Sequence, residues 1–183
     1  MSSVKRRGGV VVLRFTPDER PMLTSLLGAV RHLLAGGDED VPAADIDPLA
    51  ALTGMSGAPV SAPEEPELQR LLPDAYDDPD EAAEFRRLTD GELRARKTEA
   101  LDRALADLAA GERIELDPDE GAGLWLQALN DVRLVLGTRL DVTEEWMRDV
   151  AALPPDDPRL PVYLLYDWLS VLQEALVRSV MTD

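Results

Sequence analysis

Residues 117–137 read DPDEGAGLWLQALNDVRLVLG, and this stretch decides the fold. Asp117, Pro118 and the acids after them are typical of a helix start, because a capping side chain, an early proline and negative charge all favour the amino end of a helix. Apolar residues then recur at intervals of three and four up to Gly137, which is the spacing of one helical face. They are Leu124, Trp125, Ala128, Leu129, Val132, Val135 and Leu136. The stretch therefore predicts a helix with a wide apolar face in the core.

Similar periodicity extends over most of the chain. Helical spacing recurs from Thr16 to Gly36, Pro66 to Leu72, Asp80 to Leu88, Thr89 to Gly111, Thr143 to Val150 and Pro161 to Val180. Thr89-Asp90-Gly91-Glu92 has the Thr-x-x-Glu form of a capping box, which predicts that a new helix begins there. The last helix, Pro161 to Val180, is the most apolar and is expected at the centre of the bundle.

Two short segments have the composition of β-strands. Val10 to Phe15 is rich in β-branched residues, and Arg113 to Leu116 alternates between polar and apolar side chains. Pairing would satisfy the backbone of both segments, with helices packed on them for stability. The predicted fold is mainly α: a helical bundle with a small two-stranded β ribbon (Val10–Phe15 with Arg113–Leu116), forming a single helical domain over residues 1–183.

Residues 36–63 lack any periodicity and are rich in Gly, Pro, Ala, Ser and Asp, so we expect a flexible or disordered acidic insertion. From Gly37 to Glu81 there are thirteen acidic residues and one basic residue, and the whole chain has a net charge of −17. This charge favours a protein partner with a basic surface over direct contact with nucleic acid. The basic cluster Lys5-Arg6-Arg7, together with Arg14, is the only candidate for contact with nucleic acid, and a solvated tail is its favoured interpretation.

The chain offers few side chains for catalysis. It contains no cysteine and a single histidine, His32, and it has no nucleophile elbow or phosphate-binding loop. The acidic runs lack the spacing of a calcium loop. We therefore expect no enzyme activity, no metal and no cofactor. With no signal-peptide core and no membrane-spanning run, we expect a cytoplasmic protein.

The polar residues Asn130, Asp131 and Arg133 interrupt the strongly apolar helix quoted above. Burying such groups costs free energy unless they are paired. One interpretation is a hydrogen-bonded network that locks the bundle, pairing Asp131 with Arg139 or Arg133 with Asp167. The other is a partner-binding groove edged by Asn130, Arg133 and Arg139. The network is the favoured interpretation.

Three stretches carry a resemblance to a known family. They are Leu129-Asn130-Asp131 to Thr138-Arg139-Leu140, Tyr166-Asp167-Trp168 to Arg178, and Leu71-Leu72-Pro73-Asp74-Ala75-Tyr76 followed by Glu84-Phe85-Arg86-Arg87-Leu88-Thr89. In them the chain resembles the AosR-like oxidative-stress regulators of actinobacteria. The resemblance implies a non-enzymatic regulator of the oxidative-stress response that acts on transcription with a sigma factor. Family genes often lie beside that of the ClpS protease adaptor.

One departure from the family affects the expected mechanism. Redox sensing in the family is tied to a cysteine pair, and this chain has no cysteine. We therefore expect a regulator that binds a sigma factor or RNA polymerase without a disulfide switch of its own. The alternative is an adaptor or accessory factor for Clp-type proteolysis. The wide apolar faces also permit a homodimer.

Overall fold

The computed structural model describes residues 2–35 and 62–181. The predicted disordered insertion at residues 36–63 lies outside this part of the chain, apart from its last two residues. The described helices and strands, except the short helix at residues 146–151, contribute to one hydrophobic core.

The described elements confirm a mainly helical fold with a small sheet. In chain order they are β1 (Ser3–Arg7), β2 (Val10–Arg14), α1 (Glu19–Ala35), α2 (Pro66–Leu71), α3 (Pro79–Ala110), β3 (Arg113–Leu116), α4 (Glu120–Arg139), α5 (Trp146–Ala151) and α6 (Leu160–Met181).

The sheet has three antiparallel strands in the order β1-β2-β3. The predicted pairing of β2 with β3 is confirmed, and Val12 lies opposite Glu115. The third strand, β1, contains Lys5-Arg6-Arg7, so the interpretation of these residues as a solvated tail is wrong. Gly8 and Gly9 form the hairpin turn with φ angles of 59° and 86°. Two residues with positive φ make a turn whose twist matches that of the strands, which is why β1 folds back on β2.

Helix α3 runs unbroken over 32 residues, so the predicted new helix start at Thr89 is wrong. The Thr89 hydroxyl donates to the carbonyl oxygen of Phe85 at 2.9 Å, a contact made inside a continuous helix. The cap lies earlier, where the Asp78 carboxylate accepts from the backbone N–H groups of Asp80 and Glu81. A single helix therefore connects Pro79 to the loop that leads into β3.

Helix α4 is the centre of the core, a position that the sequence had suggested for α6. It packs against α1, α2, α3, α6 and β3. Its Trp125 is fully buried, stacks on Phe15 at 5.8 Å between ring centroids, and donates its indole N–H to Asp107 on α3. Helix α6 covers one side of α4 and leaves Leu164 and Val171 exposed.

The continuity of α3 gives a testable stability difference at Gly91. This residue is exposed in the helix interior, and an added Cβ would meet nothing within 4 Å. Gly91→Ala should stabilise the protein by about 1 kcal/mol, because glycine costs that much backbone entropy in a helix. Urea unfolding measures the change.

Gly8→Ala is the matched control, since Gly8 is equally exposed but lies at positive φ. It should destabilise the protein by about 1–2 kcal/mol, because a Cβ is strained in the left-handed region. Stabilisation by both substitutions would contradict the hairpin geometry.

Candidate functional site

Asp131 is fully buried and is paired with a residue that the sequence did not suggest. Lys97 on α3 donates from Nζ to Asp131 Oδ1 at 2.6 Å. Oδ2 of Asp131 has no hydrogen-bond partner among the described residues. Burial raises the pKa of the Asp131 carboxyl above its ordinary value, and the hydrogen bond and charge of Lys97 act in the opposite direction. The pair connects α3 to α4 inside the core.

Arg133 points to the opposite side of α4, where it contacts α6. Its guanidinium donates to Ser170 Oγ at 3.0 Å, to Gln173 Oε1 at 2.7 Å and to the Tyr166 hydroxyl at 3.4 Å. It also lies 5.3 Å from the centroid of the Tyr166 ring, within the range of a cation–π contact. Asp167 is exposed on α6, whereas the Arg133 guanidinium binds Ser170, Gln173 and Tyr166, so the suggested pair of Arg133 with Asp167 is wrong.

Arg139 lies at the exposed end of α4 and forms an ion pair with Glu67 of α2 at 2.9 Å. This contact replaces the suggested pair of Arg139 with Asp131. Hydrogen bonding to Arg139 lowers the pKa of the Glu67 carboxyl. Asn130 is half-buried on α4. At 100° per residue, Arg133 and Arg139 are about 120° apart around the helix axis, so the five polar residues do not line one groove.

A second feature, which the sequence did not reveal, is an exposed group at the amino end of α3. Tyr76, Phe85 and Leu88, here called the aromatic patch, are 49 %, 40 % and 53 % exposed. The rings of Tyr76 and Phe85 pack edge to face with centroids 5.6 Å apart. The patch surrounds a shallow cavity of about 360 Å³ that is also lined by Glu81 and Glu84.

The surroundings of the aromatic patch are acidic. No Lys or Arg occurs from Leu71 to Phe85. The same interval contains six acidic residues, Asp74, Asp77, Asp78, Asp80, Glu81 and Glu84. Arg86 forms an ion pair with Asp74, which holds the segment before α3 against the helix. The patch is therefore an apolar surface with a negative rim, on a locally anchored part of the chain.

Another cavity in the described part of the chain has a volume of about 790 Å³ and lies between α1 and α3, where the ion pair of Arg31 with Asp102 forms part of its lining. Within residues 2–35 and 62–181, no three His, Cys, Asp or Glu side chains are grouped to hold a metal ion. None of the helices in these ranges is long and apolar enough to cross a membrane.

Comparison with known proteins identifies the family. A family model described as a domain of unknown function, DUF2017, matches residues 1–180, and the chain belongs to this family. The oxidative stress regulators AosR of Mycobacterium tuberculosis and Mycobacterium bovis are each 34 % identical to the chain over 180 residues, covering 90 % of this chain and 79 % of theirs. No solved structure matches the chain. The relatives confirm the resemblance in the sequence and support a regulatory role.

The buried pair makes Lys97→Met a sensitive test of the core. This substitution leaves the Asp131 carboxylate buried without a cation and should destabilise the protein by about 3–5 kcal/mol. The double variant Lys97→Met/Asp131→Leu should recover most of this loss, because an apolar pair of similar volume needs no partner. Urea unfolding of both variants measures the recovery. A double variant less stable than Lys97→Met would contradict the ion pair.

The loss in Lys97→Met should also depend on pH. A carboxyl whose pKa is raised in the folded state contributes stability below its unfolded pKa, and this contribution disappears as pH rises through the folded pKa. Removing Lys97 raises that pKa further. The stability difference between Lys97→Met and the parent should therefore be largest at neutral pH and shrink in acid. Unfolding both proteins at matched pH values tests this, and a constant difference would be the contrary result.

Arg133→Lys tests whether the contacts of Arg133 hold the bundle together. Lysine keeps the charge but not the planar fork that reaches three acceptors, so the variant should be less stable by about 1–2 kcal/mol. Arg139→Lys is the control, because Arg139 itself is exposed, and it should change stability by less than about 0.5 kcal/mol. Equal effects in thermal unfolding would remove the case for a structural role of Arg133.

Proposed function

We propose that this protein is a non-enzymatic regulator that acts by contact with another protein, and that the aromatic patch is the contact surface. The observation that carries the proposal is the exposure of Tyr76, Phe85 and Leu88 together. The chain has only two phenylalanines: Phe15 is buried in the core, whereas Phe85 is 40 % exposed. Aromatic side chains that gather at a surface are typical anchors of protein interfaces.

The acidic rim supports a partner with basic residues around an apolar anchor. Asp77, Asp78, Asp80, Glu81 and Glu84 surround the patch or precede it in the chain and are all exposed. Opposite charges at the rim speed association and select the partner, while apolar groups at the centre supply most of the affinity. A sigma factor or an RNA polymerase subunit is the partner that the family resemblance implies, with a basic segment entering the shallow cavity.

The absence of cysteine limits how this regulator responds to oxidants. A chain with no thiol cannot change state through its own disulfide. We therefore place the redox-dependent step in the partner or in the amount of this protein. The two relatives named AosR are called oxidative stress regulators. A regulatory role needs only that binding alters the activity of the partner.

Binding to purified host sigma factors and RNA polymerase tests the proposal. The parent protein should bind one of them, with an affinity that falls as salt rises, because the rim charges become screened. The triple variant Tyr76→Ser/Phe85→Ser/Leu88→Ser should weaken binding by at least about 30-fold, the equivalent of one interface hot spot. Surface plasmon resonance measures both effects, and circular dichroism shows that the variant stays folded.

The matched control is Leu164→Ser/Val171→Ser/Val177→Ser, which removes three exposed apolar side chains from α6 instead. It should bind like the parent. Equal losses of affinity in the two triple variants would show that binding does not depend on the aromatic patch. Binding to ClpS or a Clp ATPase in place of both transcription proteins would overturn the proposal and support the proteolysis adaptor.

A further inference from the structure

The outer face of the sheet is basic, although the chain as a whole is strongly acidic. The strand register places Lys5 and Arg7 of β1, Arg14 of β2 and Arg113 of β3 on the same face. All four are exposed. Residues 1–17 contain four basic residues and no acidic residue. The pairing of β1 with β2 thus gathers these basic side chains into one positively charged surface.

The cations enclose a small cavity with an apolar floor. Val12 points to this outer face yet is only 5 % exposed, because the long stems of neighbouring basic side chains can cover it. The cavity has a volume of about 290 Å³. Its lining consists of Ser3, Lys5, Arg7, Val12, Arg14 and Arg113.

Most of the positive charge on this face is not neutralised by nearby acids. The acid on the face is Glu115, which forms an ion pair with Arg113. Among the described residues, Lys5, Arg7 and Arg14 make no salt bridge within 4 Å. An anion that reaches the face would find cations whose charge is still available.

The basic surface continues around the edge of the sheet. A groove of about 740 Å³ between β1 and the end of α6 shares Lys5 and Arg7 with the first cavity and adds Arg6 and Arg178. Adjacent strands are about 4.8 Å apart, so the three strands alone carry the charge over about 10 Å before α6 extends it. The residues of this basic track are Arg113, Arg14, Lys5, Arg7, Arg6 and Arg178. Of these, Arg178 forms an ion pair with Glu174, and Arg6 donates to the backbone carbonyl oxygen of Val180.

We propose that the basic track binds the phosphate backbone of double-stranded nucleic acid, independently of sequence. Five of its six cations are arginines, whose planar guanidinium matches phosphate oxygens in two parallel hydrogen bonds. Phosphate contacts of this kind provide most of the affinity in non-specific binding. The face has no aromatic side chain, so it lacks the stacking platform that single strands require.

The same face does not fit an acidic protein partner equally well. Protein interfaces usually contain a buried apolar centre with anchoring side chains. Here Val12 is already covered and Val10 is half-buried, which leaves cations as the accessible groups. A phosphate backbone needs only such cations, and this is why it is the favoured occupant.

Six acidic residues of the chain lie far from this face, at the amino end of α3, whereas Glu112, Glu115, Asp117, Asp119 and Glu120 belong to β3 or flank it. The acidic rim is at the amino end of the helix, whereas β3 follows its carboxyl end. A 32-residue helix is about 48 Å long, and charges are screened over about 8 Å at physiological ionic strength. Nucleic-acid binding was not expected from the sequence, because Lys5-Arg6-Arg7 was interpreted as a solvated tail. These residues instead lie in β1, which is paired with β2.

Fluorescence anisotropy with a short labelled duplex DNA tests the proposal on the full chain. The parent should bind at about 50 mM salt and lose affinity steeply toward 200 mM, with little difference between unrelated sequences. The variant Lys5→Gln/Arg7→Gln/Arg14→Gln should bind at least about tenfold more weakly, and the slope of log K against log salt should fall by about 2.7, or 0.9 for each lost contact.

The matched control, Arg70→Gln/Arg148→Gln/Arg159→Gln, removes the same charge from three exposed positions outside the track and should bind like the parent. Equal weakening in both triple variants, or no binding by the parent at low salt, would overturn the proposal. Equal competition by polyglutamate of matched charge would assign the track to an acidic protein instead. The aromatic-patch variant should bind DNA normally, so failure here is distinguishable from failure of the proposed function.

Discussion

The structure depends on how α3 is fixed along α4. Two polar contacts join the helices: Lys97 binds the buried Asp131 carboxylate, and Asp107 accepts the indole N–H of Trp125. The two contacts lie about 15 Å apart along α3, at 1.5 Å per residue. Because the order of the contacts is reversed on α4, they require the two helices to be antiparallel. A slip by one turn would leave a buried charge unpaired, which is costly enough to fix a single register.

Periodicity revealed the elements because nearly every helix buries one face against α4 or its neighbours. The predictions from sequence were wrong where the same residues are compatible with two local structures. Thr89 and Glu92 fit a capping box, but the residues before Thr89 already belong to α3. The Thr89 hydroxyl donates instead to a carbonyl oxygen within the helix. Gly8 and Gly9 are a recognisable hairpin signal. The basic residues before them are not typical of a strand, and their role emerged only from pairing with the apolar β2.

The candidate site was less accessible to sequence reasoning than the fold. The burial of Asp131 follows from its place in an apolar helix, but its partner is 34 residues away, and no local spacing indicates Lys97. The aromatic patch was not recognised, because Phe85 and Leu88 are three positions apart in the sequence and could equally face a core. Only the packing of α3 decides which of its apolar residues are covered. The basic track likewise needs the register of three strands, of which β3 is distant from the other two in the sequence.

The length of α3 separates the two proposed binding surfaces. Between Leu88 of the aromatic patch and Ala110, where the helix ends before β3, the helix advances by about 30 Å. A duplex bound at the sheet and a protein bound at the patch would therefore not collide. One molecule that holds both would raise the local concentration of the protein near the duplex, without any contact between the two partners.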